Sequence, residues 1–160
     1  MQDIIRQVHK LLLKKQKTIA VAESCTGGLL SNLLTQISGS SRYFILGIAA
    51  YSNTAKQTIL KIPADIIAKK GAVSEEVACA LARSVRKLGK TDFAIGITGI
   101  AGPAGGTIKK PVGIVFIAIS SKKKNLCKKF HFKGSRLMIR KTAALKALEL
   151  LLAALTPKPS

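Results

Sequence analysis

One short stretch limits the folds open to this chain more than any other. Residues Thr18-Ile19-Ala20-Val21-Ala22 are small or β-branched and apolar on both alternating faces, the pattern of a strand buried on both sides. Glu23 ends the run, Ser24-Cys25-Thr26-Gly27-Gly28 follow as a tight turn, and Leu29-Leu30-Ser31-Asn32-Leu33-Leu34 resumes at helical spacing. The turn therefore places two reactive side chains, Ser24 and Cys25, at a helix N-terminus. Unpaired N–H groups and the positive end of the helix dipole suit a phosphate or an oxyanion there. The same residues also admit a purely structural reading, with Thr26 as an N-cap and the glycines permitting close packing.

The rest of the chain alternates between strand and helix patterns. Ile4, Val8, Leu11 and Leu12 mark an amphipathic helix ahead of the central strand. Phe44 to Tyr51 is continuous and apolar, as expected of a second buried strand, and it delivers Tyr51-Ser52-Asn53-Thr54-Ala55-Lys56 at its carboxyl end. Pro63 starts a short helix closed by Gly71, and Ser74 caps a longer one that carries Glu75 and Glu76 in its first turn and ends at Gly89. Asp92 to Thr98 reads as a third strand and empties into the glycine-rich loop Gly99 to Thr107. A strand over Val112 to Ile119 and a more exposed one over Leu126 to Phe132 read as an edge hairpin. Ser135 caps a final helix, Arg136 to Leu155.

This order predicts a single three-layer α/β/α domain over 1–160, with a mostly parallel open sheet, an antiparallel edge hairpin and a flexible tail at 156–160. Ligands in such folds bind outside the carboxyl ends of the strands. Three polar clusters, Ser24–Thr26, Tyr51–Lys56 and Thr98–Gly106, fall at such ends and are expected to converge.

Composition narrows the chemistry. The chain has 160 residues, enough for one layered core, and 48% of them are hydrophobic, which excludes a disordered chain. No apolar run approaches the roughly 20 residues of a membrane span, and the amino terminus lacks the marks of a signal peptide, so a cytoplasmic location without membrane association is expected. Cys25, Cys79 and Cys127 form no CxxC spacing, and the two histidines, His9 and His131, form no cluster; neither a disulfide framework nor a metal is expected. The net charge of +20 is a cue for nucleic acid. The lysines are spread along the whole chain, however, and only Lys122-Lys123-Lys124 and Lys128-Lys129 are dense, so nucleic acid is the disfavoured partner and a small phosphorylated molecule the favoured one.

With no histidine in the three clusters, a serine nucleophile has to lose its proton to lysine, and a Ser–Lys pair is an established alternative to the histidine triad. Lys56 would have to be partly neutral. Moving it from about 10.4 towards about 7 to 8 costs roughly 4 kcal/mol, which desolvation at an apolar sheet edge can supply. Glu23 would oppose that shift, but strand alternation points it away from the face of Ser24. Cys25 is the rival nucleophile. Tyr51 can orient Lys56 or stack on a substrate ring, and Thr98 can donate near the reacting carbonyl. Backbone N–H groups around Thr26, Gly27 and Gly102 are candidate oxyanion or phosphate donors, with Lys110 and Arg136 as candidate anion anchors.

The residues Ala22-Glu23-Ser24-Cys25-Thr26-Gly27-Gly28, Gly39-Ser40-Ser41, Tyr51-Ser52-Asn53-Thr54-Ala55-Lys56, Gly71-Ala72-Val73-Ser74-Glu75-Glu76, Thr98-Gly99-Ile100-Ala101-Gly102-Pro103 with Gly105-Gly106, and Lys110-Pro111-Val112-Gly113 together resemble the CinA carboxy-terminal domain family, the nicotinamide mononucleotide amidohydrolases. The resemblance implies hydrolysis of the carboxamide of nicotinamide mononucleotide to nicotinate mononucleotide and ammonia, in pyridine nucleotide recycling. It implies Ser24 as nucleophile and Lys56 as its base, with no cofactor. With the reading of the clusters, the expected site has Ser24, Lys56, Tyr51 and Thr98 as catalytic residues and Cys25, Thr26, Gly27, Gly28, Gly99, Gly102, Gly105, Gly106, Lys110 and Arg136 as substrate-binding residues. A homo-oligomer, dimer or higher, is expected. Longer relatives carry an amino-terminal domain resembling molybdopterin-binding proteins; no such domain is expected here. Two stretches depart from the family pattern. Phe132-Lys133-Gly134-Ser135-Arg136 has Ser135 where the family carries Asp, and Ile108-Lys109-Lys110-Pro111 replaces Pro-Glu-Lys-Pro. The alternative is a non-catalytic nucleotide- or nucleic-acid-binding module with a basic surface.

Overall fold

The computed structural model of the protein describes residues 2–156. Helix α1 spans Gln2–Lys14 and buries Ile5, Val8 and Leu12, the apolar stripe read from the sequence. Strand β1, Ile19–Glu23, is buried at all five positions, helix α2 is Leu29–Thr35, and strand β2 is Phe44–Ala49. Short helices α3, Asn53–Thr58, and α4, Ala64–Lys70, lead to α5, Glu75–Gly89. Strands β3, Phe93–Gly99, β4, Ile114–Ser121, and β5, Asn125–His131, precede the long helix α6, Arg136–Leu155. The expected caps are in place: Ser74 accepts from the Val77 N–H and Ser135 from the Met138 N–H. The tail expected at 156–160 lies, from position 157 onward, outside the described residues.

The sheet order is β2-β1-β3-β4-β5. β1 pairs in parallel with both β2 and β3, β4 runs antiparallel to β3, and β5 antiparallel to β4. Four strands thus share one direction and β4 alone is reversed, which gives a mostly parallel sheet with the edge hairpin read from the sequence. The two faces differ in side-chain size. Ile19 and Val21 of β1, with Ile95, Ile97, Val115, Ile117 and Ile119, face α1, α2 and α6. Ala20, Ala22 and Ala94 face α4 and α5. A Cβ added to Gly96 would lie 2.3 Å from the Ala78 carbonyl oxygen, so α5 rests almost directly on the sheet.

Two elements differ from the sequence reading. Phe44 to Tyr51 is not a strand buried on both faces: β2 is the sheet edge, its residues alternate between half-buried and exposed, and Ile45 is 48% exposed. A continuous apolar run cannot distinguish an interior strand from an edge strand, because neighbouring elements decide the cover. The second difference is α3, where Ser52 accepts from the Ala55 N–H as an N-cap and Lys56 lies inside a helix rather than at a strand end.

The central feature of β1 is its last residue. Glu23 is fully buried, and its carboxylate accepts from the backbone N–H groups of Gly28 at 3.1 Å, Leu30 at 3.0 Å and Ser31 at 2.8 Å, and from the Ser31 hydroxyl at 2.7 Å. Gly28 sits at the N-cap with φ 94°, and no side chain of the turn itself caps the helix. The strand-end carboxylate is therefore the cap of α2, and the negative charge meets the positive end of the helix dipole. Glu23→Ala strands these donors in the core and is expected to lower unfolding free energy by about 3 kcal/mol. Urea denaturation checks this; an unchanged midpoint would show that the cap carries no stability.

Candidate active site

The carboxyl ends of β1 and β3 and the segment after β2 surround a cavity of about 270 Å³. Ser24 and Cys25 reach it from the turn after β1, and Tyr51, Asn53 and Lys56 from the start of α3. Thr98, Gly99, Ala101, Gly102 and Gly105 reach it from β3 and its loop, Ala72 and Val73 from the segment before α5, and Arg136 from the first turn of α6. The three polar clusters read from the sequence converge here.

The Ser24 turn is held from several sides. Its backbone N–H donates to the Ile97 carbonyl at 3.0 Å, and its carbonyl accepts from the Gly27 N–H at 3.1 Å. Ser24 is 8% exposed, and its side chain borders the cavity. Lys56 is 2% exposed, and its Nζ donates to the carbonyls of Tyr51 at 3.1 Å and Ser52 at 3.5 Å. Burial lowers its pKa below the ordinary lysine value, opposed by the neighbouring Cys25 thiol. Glu23 points to the other side, as alternation predicts, and is engaged with α2.

Cys25 lies in the main core as well as at the cavity wall. Burial pushes its thiol up to about 11; its own backbone N–H partly offsets this, Glu23 adds to the rise, and Arg140 and Lys56 oppose it. A thiol held protonated is a poor nucleophile.

Other candidates divide between the cavity and its supports. The Arg136 guanidinium spans the cavity mouth, with Nη1 donating to the Gly102 carbonyl at 2.7 Å and Nη2 to the Tyr51 hydroxyl at 2.6 Å. Tyr51 is thus an exposed aromatic at the rim, and its carbonyl holds Lys56. The Thr98 hydroxyl donates to the Ala72 carbonyl at 2.7 Å, so its proton ties β3 to the segment before α5 instead of facing a ligand. Gly102 has φ 73°, and a Cβ there would meet Val112 at 2.5 Å, which restricts this bend to glycine.

Some predicted binding residues lie outside the cavity. Lys110 donates from Nζ to the carbonyls of Lys70 and Val73, both at 2.7 Å, and acts as a strut under the segment before α5. Gly106 packs against Val112. Thr26, Gly27 and Gly28 stand behind the cavity wall, and the α2 N–H groups expected to be open to an anion are occupied by Glu23. In the turn, the Cys25 and Thr26 N–H groups make neither a backbone bond nor a bond to Glu23.

Sequence reasoning missed Arg140. It sits one helical turn beyond Arg136, donates from Nη2 to the Thr26 carbonyl at 2.8 Å and packs against Gly27. The i, i+4 spacing of two arginines at a helix start was its only sequence signal.

The family model for the CinA C-terminal domain matches residues 1–155. A CinA-like protein of Syntrophus aciditrophicus is 48% identical over 145 residues, 90% of this chain and 34% of that protein; one of Desulfotalea psychrophila is 47% identical over 144 residues, 90% of this chain and 35% of that protein. The chain spans about a third of the length of these relatives. The competence/damage inducible protein CihA from Agrobacterium tumefaciens superposes with a TM-score of 0.90 at 34% identity, covering 94% of both chains. A CinA superfamily protein from Klebsiella pneumoniae does so with a TM-score of 0.92 at 28% identity, covering 96% of both. With the match running along nearly its whole described length and its fold shared with solved CinA proteins, the chain belongs to the CinA C-terminal domain family.

Proposed function

We propose that the protein is an amidohydrolase that cleaves the carboxamide of nicotinamide mononucleotide with Ser24 as nucleophile and Lys56 as base. The observation that carries the reading is the meeting of these two side chains in one cavity, with the lysine desolvated. The neutral Lys56 amine takes the Ser24 proton as the oxygen attacks the amide carbon. The resulting ammonium then protonates the leaving nitrogen, which departs as ammonia. Water, deprotonated by the same amine, hydrolyses the serine ester to release the carboxylate and regenerate Ser24. We assign the developing oxyanion to the N–H of Cys25, which stands at the cavity wall and is left free by Glu23. The 5′-phosphate is assigned to Arg136 and the Gly99–Gly105 loop. No carboxylate borders the cavity, in keeping with an anionic substrate.

The alternative reading, a basic module for nucleic acid, has less behind it. Phe130 and Phe132 stack on each other and pack against the core, so they offer no platform for bases. We place the enzyme in the cytoplasm; no helix among the described residues is long and apolar enough to cross a membrane. We also read it as a homo-oligomer. Strand β2 pairs on one side only, and Ile45 on it and Ile59 just after α3 are exposed.

Ser24→Ala and Lys56→Ala are each expected to reduce ammonia release from the mononucleotide by on the order of a thousandfold. Full activity in Ser24→Ala would reject the assigned nucleophile.

The pH profile carries a second expectation. Only the uncharged amine can act as base, so kcat/KM rises with pH through the folded-state pKa of Lys56, which lies below the 10.5 of an ordinary lysine. A lowered folded pKa also means that the unfolded chain binds this proton more tightly. Lys56 therefore costs stability at pH below its folded value, and that cost disappears as pH rises towards 10.5. Lys56→Met should abolish turnover at neutral pH while its thermal midpoint stays level or rises; a large drop would show that the amine stabilises the fold.

Light scattering on the purified protein should give a mass of at least two chains, reduced towards one by Ile45→Lys. A monomeric wild type would remove the oligomer from the reading.

A further inference from the structure

A row of small residues crosses the sheet beneath α5. Ala22 of β1, Gly96 of β3, Ala118 of β4 and Cys127 of β5 are successive register partners. At Gly96 an added Cβ would stand 2.3 Å from the Ala78 carbonyl oxygen and 2.6 Å from the Ala82 nitrogen, so the helix backbone rests on this row. The next residue, Cys79, lies on the flank of α5 that overlooks the β4–β5 hairpin. Arg86, seven positions on and therefore on the same helix face, donates from Nε to Ser120 of β4 at 3.0 Å. Cys79 and Cys127 both pack against the cluster of Ala78, Ala82 and Ala118. Two cysteines 48 positions apart in sequence are thus brought together by a helix that sits low over small residues.

The pair is separate from the cavity that holds Ser24 and Lys56. Both thiols are partly open to solvent, whereas Cys25 is buried. The pair is also asymmetric. The neighbouring Cys127 side chain holds the Cys79 thiol down at about 7 against burial, with Arg83 assisting and Glu75 and Glu76 opposing. Cys79 in turn, with burial, pushes Cys127 up. One sulfur is therefore prepared as a thiolate, and the other stands beside it as a thiol.

We propose that Cys79 and Cys127 form a reversible dithiol–disulfide site whose oxidant is a hydroperoxide and whose reductant is a dithiol. The Cys79 thiolate attacks the O–O bond, forming an S–O bond and releasing the distal oxygen as alkoxide or hydroxide, which takes up a proton. The Cys127 sulfur then attacks the Cys79 sulfur, the S–O bond breaks, and the hydroxyl leaves with the Cys127 proton as water. The two thiols lose two electrons and two protons, and the hydroperoxide is reduced to water and an alcohol, or to two waters if it is hydrogen peroxide. The bond ties α5 to the sheet edge.

The test is treatment of the reduced full chain with hydrogen peroxide, followed by alkylation and peptide mapping by mass spectrometry. The expected product has an intact mass lower by two hydrogens, with the Cys79 and Cys127 peptides joined and Cys25 alkylated only after denaturation; dithiothreitol reverses it. Cys127→Ser should accumulate a dimedone-reactive sulfenic acid at Cys79, and Cys79→Ser should slow oxidation of Cys127 by about tenfold or more. Both thiols alkylating freely after peroxide, or cross-links that involve Cys25 or join two chains, would overturn the proposal. Mapping of the wild type decides this even if a variant does not fold.

Discussion

The Glu23 carboxylate is the interaction on which the site depends. It ends a strand buried at every position, and it takes up four donors from the start of α2, three of them backbone N–H groups that would otherwise be unpaired in the core. A buried carboxylate without such partners would be strongly unfavourable, and so would a buried helix start without an acceptor. Each defect cures the other, and the cure fixes the path of the chain between Glu23 and Gly28. The five-residue turn has little freedom left, and Ser24 is held at the end of the sheet by its bonds to Ile97 and Gly27. The nucleophilic role proposed for Ser24 needs that restriction, because small displacements of a reacting atom are costly in rate.

A second constraint concerns a cation. Lys56 is buried on a short helix beyond the edge strand, with its amine directed at two carbonyls of its own turn. Burial disfavours the charged form, so the feature that costs stability is also the one that the base role proposed for Lys56 requires. Among the described residues no carboxylate lines its cavity, and Glu23 is occupied on the opposite side of β1. Arg136 and Arg140 lie one turn apart on α6; the first holds the cavity rim through Gly102 and Tyr51, the second the back of the Ser24 turn through Thr26. Ser135, just before Arg136, serves as the helix cap, accepting from the Met138 N–H.

The two faces of the sheet distribute these parts. Large side chains on one face fill the space under α1, α2 and α6, while alanines and Gly96 on the other let α5 settle close. That closeness brings Cys79 to Cys127, and it sets the height of the segment 70–73 that Lys110 and Thr98 brace from below.

By itself the sequence determined the layered α/β class, most helix boundaries and the convergence of Ser24, Tyr51, Lys56 and the Gly99–Gly105 loop. Those follow from local signals: apolar periodicity, caps such as Ser74 and Ser135, and the rule that strand ends gather a site. It did not separate an edge strand from an interior one at Phe44–Ala49, since an apolar run reads the same whether or not another strand lies beside it. Nor could it show which donors were already taken. Whether the α2 N–H groups were open to a ligand turned on where the Glu23 carboxylate settled. Whether Lys110 and Thr98 faced the cavity and whether Arg140 mattered turned on partners distant in sequence, 26 positions away for Thr98 and Ala72 and 114 for Arg140 and Thr26. Hydrogen-bond pairing across such separations is a property of the packed chain, and only the tertiary structure decided it.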